Sequence, residues 1–443
     1  MLKNTLLPVE EFVARREALF AQMPSNAVLI VKAAQEITRS NDTEFPFCQN
    51  KNFYYLTGFH EPDALLVMVK AEQNSSILFC REKDPMQEVW HGRRVGPEAA
   101  KTQFAMDYSY TNEQIDELVP DMLEGKSVAL CCFDDDEAMA LTTELMSHVA
   151  RQVKSGKKSP AQMMNCAEMI NDMRLHKSEN EISLMRQANV ISGQAHQRAM
   201  KATKAGKFEY QIEAELLHEF AVNGARHPAY SSIVAGGDNA NILHYTDNDE
   251  VLNDGDLLLI DAGGELAGYA ADITRTFPVS GKFSEPQKII YDLVLASQLA
   301  AIDAIKPGNT FAQLNTIVCD VLTKGLYELG ILKGNLDELL EKKACKQYFI
   351  HGLGHWLGLD VHDVGDYHVD DQRQQMRPFA PGMIMTIEPG IYIPLGTEDV
   401  DQKWQGIGVR IEDNILVTES GHENLTVNAP KTTSDIEYLM ANG

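Results

Sequence analysis

Four acidic side chains stand inside or directly after strongly apolar stretches in the second half of this 443-residue chain. They are Asp261 (LLLID), Asp272 (GYAADITRTF), Glu388 (MIMTIE) and Glu412 (VRIED). Such short apolar runs are typical of buried β-strands. Removing an isolated carboxylate from water costs several kcal/mol, so each must be paired, hydrogen-bonded or bound to a cation. The chain must therefore fold so that these carboxylates meet partners in its interior.

Two of the carboxylates are expected to face each other. Asp261 is followed by Ala-Gly-Gly, a turn-forming sequence that would return the chain to Asp272 in an adjacent strand. Two facing carboxylates repel unless a cation lies between them. Arg410 and Glu412 are two residues apart, so on a strand both point to the same face. That face is either part of a site or a structural ion pair.

A glycine-flanked segment, HGLGHWLGLDVH, contributes His351, His355 and His362. Its glycines oppose a helix, and the Glu of the helical zinc motif HExxH is absent. In an extended chain the Cα atoms of His351 and His355 would be about 13 Å apart, too far to share one ion. We therefore expect one of the two to bind metal and the other to face substrate.

Each of these residues alone has an ordinary explanation. A strand-end aspartate is more often a turn former, and a lone histidine such as His244 is usually a hydrogen-bonded polar residue. Their number within one domain favours a metal site instead. Oxygen and nitrogen ligands without thiolate suit Mn²⁺, with Co²⁺ or Zn²⁺ as alternatives. Four carboxylates exceed the needs of one ion, so we expect two ions about 3.5 to 4 Å apart.

Charge and cysteine usage limit the partners and the compartment. The chain has 39 Lys and Arg against 64 Asp and Glu, a net charge of −25. This acidity disfavours nucleic acid and anionic membranes as partners. Seven cysteines without a CxxC pair indicate free thiols in a reducing compartment. Residues 1–20 contain no apolar signal core, and no stretch reaches the roughly 18 apolar residues of a membrane span, so we expect a cytoplasmic protein.

Local patterns divide the chain near residue 175. In the first part, apolar runs predict strands at 27–31, 64–69, 76–80 and 128–132, with helices at 10–22, 138–153 and 161–174. In the second part, Ser-x-x-Glu and Ser-x-x-Gln boxes at Ser178 and Ser284 each open a long helix, followed by a second helix and strands. This recurrence suggests an internal duplication. The later strands are predicted at 257–261, 269–277, 383–388 and 409–417.

The segments DAGGELAGYAADITRTFPV, HGLGHWLGLDVHDVG, TIEPG and GIGVRIEDN together resemble the metallopeptidases of the pita-bread fold. Within that family, the bacterial Xaa-Pro aminopeptidases (aminopeptidase P) are most similar. TRSNDTEFPFCQNKNFYYLTGFHEPDALLV and EVWHGRRVG resemble the non-catalytic domain of the same subfamily. The resemblance implies an α/β protein with a mixed α/β non-catalytic domain at residues 1–174. A pita-bread domain (α+β, pseudo-twofold) would follow at residues 175–443.

The resemblance also implies a ligand set for two Mn²⁺ ions. Asp261 would bind the first ion, and Asp272 and Glu412 would bridge both ions. His355 and Glu388 would complete the second ion. All five positions match the ligand types of the family.

Roles for the remaining candidates follow from the same resemblance. His244 and His362 would line the substrate cleft and support the tetrahedral intermediate. His351 would lie beside the proline-binding region, and Arg410 would steady the ligand strand. Trp90 would lie near a neighbour's active site in a homo-oligomer, a tetramer or a dimer. Burial habits alone would instead make Trp90 a core residue.

The reaction implied is hydrolysis of the bond between an N-terminal residue and a penultimate proline in peptides. A water activated between the two ions would attack the carbonyl, with Glu388 accepting a proton and His362 stabilising the oxyanion. An Xaa-Pro dipeptidase (prolidase) is the nearest alternative, since it shares the fold and ligands. A non-catalytic pita-bread binding protein and a purely structural set of ion pairs are the remaining alternatives.

Overall fold

The computed structural model of the protein describes residues 6–370 and 372–443. The chain forms two compact units, one ending at Arg174 and the other spanning Leu175–Gly443. Residues 1–5, part of the segment in which no signal core is predicted, lie outside the described residues. Within the described ranges, no helix is long and apolar enough to cross a membrane.

The first unit alternates strands and helices. Its helices are α1 (Val9–Gln22), α2 (Lys51–Thr57), α3 (Pro85–His91), α4 (Pro97–Gln103), α5 (Ile115–Leu123), α6 (Asp136–Arg151) and α7 (Ala167–Leu175, which ends in the second unit). Its strands are β1 (Ala27–Lys32), β2 (Thr38–Ser40), β3 (Thr43–Glu44), β4 (Leu65–Val69), β5 (Ser75–Cys80), β6 (Tyr108–Thr111), β7 (Val128–Cys131) and β8 (Gln162–Asn165).

A mixed six-stranded sheet in the order β6-β5-β4-β1-β7-β8 forms the centre of this unit. Strand β1 is antiparallel to β4 and parallel to β7. Alternate residues of β1, Val28 and Ile30, lie in an apolar cluster with Val119 of α5 and Val149 of α6. The mixed α/β prediction for this region is thereby confirmed.

One predicted helix of this unit is partly wrong. Residues 161–174 do not form a continuous helix, because Gln162–Asn165 pairs as edge strand β8 with β7. The backbone N–H of Cys166 continues this pairing with a hydrogen bond to Cys131 O at 3.1 Å. Main-chain pairing with a strand distant in sequence therefore outweighs the local helical pattern.

The second unit contains the longer helices. They are α8 (Glu179–Ala202), α9 (Glu209–Val222), α10 (Glu285–Asp303), α11 (Phe311–Glu328), α12 (Leu336–Glu341) and α13 (Thr433–Ala441). Its strands are β9 (His227–Pro228), β10 (Ile233–Gly236), β11 (Leu257–Asp261), β12 (Gly264–Leu266), β13 (Tyr269–Ala270), β14 (Thr274–Pro278), β15 (Ile384–Ile387), β16 (Gly390–Ile393), β17 (Ile407–Arg410), β18 (Asp413–Val417) and β19 (His422–Asn424).

The predicted recurrence of elements is present in the structure. Capping boxes at Ser178 and Ser284 begin α8 and α10, in each case with the residue three positions on bonding back to the serine N–H at 2.9 Å. Each helix packs against the next one, α8 against α9 and α10 against α11. Strands β9–β14 follow the first pair and β15–β19 follow the second.

Two of the strand predictions are wrong in an informative way. Residues 269–277 and 409–417 are each split into two short strands, with Asp272 and Glu412 in the breaks. At each break the chain leaves one sheet and enters another, from β13 to β14 and from β17 to β18. The N–H of Glu412 donates to Thr274 O at 3.0 Å, which joins the two breaks. Both acidic residues are therefore held beside each other.

Candidate metal centre

The second unit contains a cavity of about 640 Å³ lined by polar and apolar side chains. Every predicted site residue except Trp90 lines it. These residues are Asp261, Asp272, Glu388, Glu412, His355, His351, His244, His362 and Arg410. The fold thus brings together side chains from five separate sequence segments.

Strand ends and sheet edges position the five predicted ligands. Asp261 is the last residue of β11, and Glu388 directly follows β15. The histidine segment runs along the edge of β15, since Thr386 N donates to His355 O at 2.9 Å and Glu388 N donates to Leu353 O at 2.8 Å. The chain is therefore extended here, as the glycines predict, and His355 faces the carboxylates.

The five predicted ligands form one continuous cluster. Asp272, His355 and Glu412 each offer a ligand atom within 4.8 Å of the others. His355 Nε2 lies 3.4 Å from Asp272 Oδ2 and 3.6 Å from Glu388 Oε1. Asp261 joins through the hydroxyl of Tyr230, which donates to Asp261 Oδ1 at 2.6 Å and also contacts Asp272 Oδ1.

Burial and mutual repulsion disturb the carboxylates. Burial raises the pKa of Glu388 to about 7. Burial, and then neighbouring carboxylates, raise the pKa values of Asp272 and Glu412 above their ordinary range. Asp261 differs: burial alone would raise its pKa, but Arg410 at 2.7 Å and Tyr230 hold it below its ordinary value. The single positive charge of Arg410 is therefore too small to neutralise the carboxylates of the cluster.

A divalent cation would supply the missing positive charge. Burial lowers the pKa of His355, but Asp272 and Glu388 outweigh that effect and raise it to about 9. The cluster thus attracts a positive charge to the position between its carboxylates. Its donors are carboxylate oxygens and one imidazole nitrogen, which suit Mn²⁺, Co²⁺ or Zn²⁺. The chemistry of the donor set therefore agrees with the predicted metal site.

Arg410 pairs with a different carboxylate from the one next to it on its strand. Its Nη2 donates to Asp261 Oδ2, whereas Glu412 accepts from Thr274 Oγ1 at 2.7 Å. Arg410 also donates to Thr274 Oγ1 at 3.2 Å and to Tyr392 OH at 3.0 Å. Strand β17 ends at Arg410, so the alternation rule does not extend to Glu412. Both residues line the cavity, and the ion pair that Arg410 forms is with Asp261, so the alternative of a structural Arg410–Glu412 pair is not supported.

His351 and Tyr392 form a hydrogen-bonded pair beside the cluster. Because Tyr392 accepts from Arg410, its own proton is available to His351 Nε2 at 2.8 Å. His351 Nδ1 then donates to Gly352 O at 2.7 Å, and it lies 3.7 Å from Glu388 Oε2. Burial, then Arg410, lower the pKa of His351 to about 3, so the ring is neutral.

The other two histidines, His362 and His244, are exposed residues of the cavity lining. The ring of His362 packs edge-on against His355, with 4.2 Å between centroids. Burial, then His355 and His244, lower the pKa of His362. His244 lines the cavity and is exposed. Both imidazoles can therefore reach a ligand that enters the cavity.

Sequence reasoning missed three residues that connect the site. Tyr230 contacts two predicted ligands, Tyr392 links Arg410 to His351, and Thr274 links Arg410 to Glu412. Thr274 follows Asp272 by two residues, which is a usable signal on an extended chain. No comparable pattern marks Tyr230, because it joins the site only through tertiary structure.

Trp90 lies apart, in the first unit. Its side chain is 77% exposed, on helix α3, in which every residue is at least partly exposed. The expectation of a core tryptophan is therefore wrong.

Comparison with known proteins identifies the family of this chain. The model of Metallopeptidase family M24 matches residues 183–419, and that of Aminopeptidase P, N-terminal domain, matches residues 12–131. An Xaa-Pro aminopeptidase of Haemophilus influenzae is 48% identical, covering 98% of each chain. One of Escherichia coli is 43% identical, covering 97% of each. Zinc-substituted E. coli aminopeptidase P in complex with product has a TM-score of 0.96 at 42% identity, covering 99% of each chain.

These matches confirm the predicted fold, a mixed α/β N-terminal region followed by a pita-bread domain. They also agree with a divalent-metal enzyme, because the family consists of metallopeptidases and the solved relative contains zinc. The chain therefore belongs to metallopeptidase family M24 and is a metallo-aminopeptidase with an aminopeptidase P type N-terminal domain.

Proposed function

We propose that this protein removes the N-terminal residue from peptides with proline in second position, using two Mn²⁺ ions per chain. The observation that carries the proposal is the continuous cluster of four carboxylates and His355 in the cavity. The names of the H. influenzae and E. coli relatives support the substrate class.

Five residues of this cluster would hold the ions: Asp261, Asp272, His355, Glu388 and Glu412. When bound, the two ions would lower the pKa of a water between them and polarise the scissile carbonyl. Glu388 is the proposed proton acceptor. Its carboxylate lies within 3.7 Å of both His351 and His355, so it is fixed at the edge of the cluster.

The remaining cavity residues bind and orient the peptide. His362 stabilises the developing oxyanion, and His244 approaches the substrate from the exposed side. His351, held by Tyr392, forms the wall of the proline subsite. Arg410 lines the cavity as a candidate substrate-binding residue and orients Asp261, since its three nitrogens donate to Asp261, Tyr392 and Thr274.

The engagement of Arg410 also favours an aminopeptidase over a prolidase. A dipeptidase binds the free carboxylate directly after proline, usually with a cation. Arg410 is the arginine of the cavity lining, and its charge is already balanced by Asp261. Arg373 and Arg377 are not among the described residues that line the cavity. We therefore expect the end beyond proline to accept a longer peptide.

We extend the proposal to assembly and location. Exposed Trp90 belongs to an interface of a homo-oligomer, a tetramer or dimer, near a neighbour's active site. The cytoplasm is the proposed compartment, which agrees with seven cysteines that are all free thiols in the structure.

A matched pair of tripeptides, Xaa-Pro-Xaa and Xaa-Ala-Xaa, tests the reaction. Protein stripped with a chelator and reloaded with Mn²⁺ should release the first residue of the proline peptide, and the alanine peptide should be cut far more slowly. Chelated protein should be inactive on both. Equal cleavage of the two peptides, or cleavage without metal, would disprove the proposal.

A further inference from the structure

Glu209, the first residue of α9, is a completely buried carboxylate that accepts four hydrogen bonds. Oε1 accepts from Gly236 N at 2.7 Å and from Asn239 Nδ2 at 3.2 Å. Oε2 accepts from Tyr245 OH at 2.7 Å and from Glu250 N at 3.0 Å. All four donors are neutral groups. An apolar residue at this position would leave four donors without this acceptor.

The four donors belong to one stretch of chain, residues 236–250, which leads from the end of β10 towards β11. The same stretch contributes Leu243, His244 and Thr246 to the cavity lining. Glu209 is not among the residues of that lining. Its carboxylate joins the two ends of the stretch, because it accepts from Gly236 N and from Glu250 N.

His244 directly precedes Tyr245, whose position in this loop is fixed. The next residue, Tyr245, is buried among Ile233 and Leu259, and its hydroxyl bonds to Glu209. Burial, then Glu209, raise the pKa of Tyr245, so it remains a donor across the physiological range. Three residues later, Asn248 is also buried and bonds to the β10 segment. The exposed imidazole of His244 therefore belongs to a stretch of backbone in which the following residues Tyr245 and Asn248 are held by hydrogen bonds.

We propose that Glu209 is a positioning residue for substrate binding, which acts by fixing the loop that presents His244 to the peptide. This inference rests on the proposed function, in which His244 approaches the substrate. A carboxylate is needed because each oxygen accepts from one backbone N–H, at Gly236 and at Glu250. An amide would have to turn its NH₂ group towards one of these two N–H donors.

Glu209→Gln tests this requirement with almost no change of volume. The loop should shift, and kcat/KM for an Xaa-Pro-Xaa tripeptide should fall on the order of 100-fold. The bound Mn²⁺ content should be unchanged, because no proposed ligand contacts Glu209. Glu181→Gln is the matched control. Glu181 is also buried and accepts from a tyrosine hydroxyl, that of Tyr269 at 2.8 Å, and from the Ser178 N–H at 2.9 Å in the capping box of α8.

A double-variant comparison separates positioning from general damage. If Glu209 acts through His244, the two substitutions should not act independently. The factor by which kcat/KM falls in the double variant Glu209→Gln, His244→Ala should be at least tenfold smaller than the product of the factors for the two single variants. A Pro-Xaa dipeptide, which is the product, should bind more weakly to Glu209→Gln than to the Glu181→Gln control. Tyr245→Phe removes one donor only and should show the same coupling to His244, even if Glu209→Gln does not fold.

Independent, multiplicative losses would overturn the inference, and so would a Glu209→Gln variant that behaves like the Glu181→Gln control. Failure of the proposed function is distinguishable from these results. In that case the unmodified Mn²⁺-loaded protein would not cleave the proline tripeptide at all.

Discussion

Asp272 stands at the centre of the proposed metal cluster, in contact with Tyr230 and His355. Because it would bridge both ions, Asp272→Asn should remove an anionic bridge and reduce bound Mn²⁺ and kcat by at least about tenfold each. Metal content after gel filtration and turnover of a proline tripeptide measure the two effects. Asp292→Asn, in an exposed i,i+4 pair of α10, is the control and should change neither.

If Asp272→Asn kept two ions per chain and near-normal turnover, the dinuclear assignment would be falsified. The outcome bears on the ligand set alone. The fold would be unaffected, because the backbone of Asp272 is held separately by Asn414, which accepts from Asp272 N at 2.9 Å.

A buried histidine should make the second unit sensitive to acid. His196 is fully buried, and burial lowers its pKa from 6.5 to about 4. Its Nε2 lies 3.0 Å from Ala262 O, and Nδ1 has no hydrogen-bond partner among the described residues. The ring is therefore neutral when folded, and the unfolded chain binds a proton more readily. The contribution of His196 to the free energy of unfolding is therefore fully present above pH 6.5 and is lost as the pH falls towards 4.

Each pH unit in that window should cost about 1.4 kcal/mol in the free energy of unfolding from this group. The measurement is denaturant unfolding of chelated protein at several pH values, with His196→Asn for comparison. The variant should lose less stability than the unmodified protein between neutral and acidic pH. Parallel pH profiles for the two proteins would show that His196 does not titrate in this way.

At the scale of elements, the sequence predicted the strands and their apolar faces better than the breaks between them. Leu257–Asp261 was recognisable because an apolar run ends in a charge and a glycine turn. The split at Glu412 was not, since VRIEDNILV reads as one strand and only pairing with two different sheets interrupts it. The ligand types could be recognised because carboxylates are rare inside apolar runs.

The residues that organise the site were much less readable. Tyr230 and Glu209 lie in segments without a local motif. The side-chain hydrogen bonds of Tyr230 join residues at least 31 positions away in sequence, and those of Glu209 join residues at least 27 positions away. Their roles depend on which chain segments the fold brings together. A single sequence carries no period or spacing that reports such contacts.

Arg275 holds the elements around the second ligand break. It is completely buried on β14 and donates to Asp413 Oδ1 at 2.7 Å and to Glu412 O at 2.6 Å. Arg275→Met would remove one of the two cations paired with Asp413, the other being Lys431, and would free the break between β17 and β18. The free energy of unfolding should fall by about 3 to 5 kcal/mol.

Thermal and denaturant unfolding of metal-free protein measure this effect. The control is Lys342→Met in the exposed pair with Glu338, for which the loss should stay below about 0.5 kcal/mol. A loss for Arg275→Met as small as that of the control would contradict a structural role for this buried pair.

At the scale of the whole molecule, the exposed Trp90 predicts assembly. A large aromatic side chain left 77% exposed on a helix with no buried residues is typical of an interface. Trp90→Ala should lower the apparent molecular mass in light scattering and weaken substrate affinity, without loss of thermal stability of the monomer. Val153→Ala, at a 68% exposed position of the same unit, is the control. The interface would be excluded if the unmodified protein were an active monomer and Trp90→Ala left substrate affinity unaltered.

Substrate length tests the central claim most directly, because it separates an aminopeptidase from a prolidase on the same fold and ligands. The Mn²⁺-loaded protein is given an Xaa-Pro-Xaa tripeptide and the matching Xaa-Pro dipeptide, and release of the first residue is measured for each. With Arg410 engaged by Asp261, and Arg373 and Arg377 outside the described cavity lining, we predict cleavage of the tripeptide and of longer peptides. Turnover of the dipeptide with no detectable cleavage of the tripeptide would contradict the account and assign the protein as a prolidase.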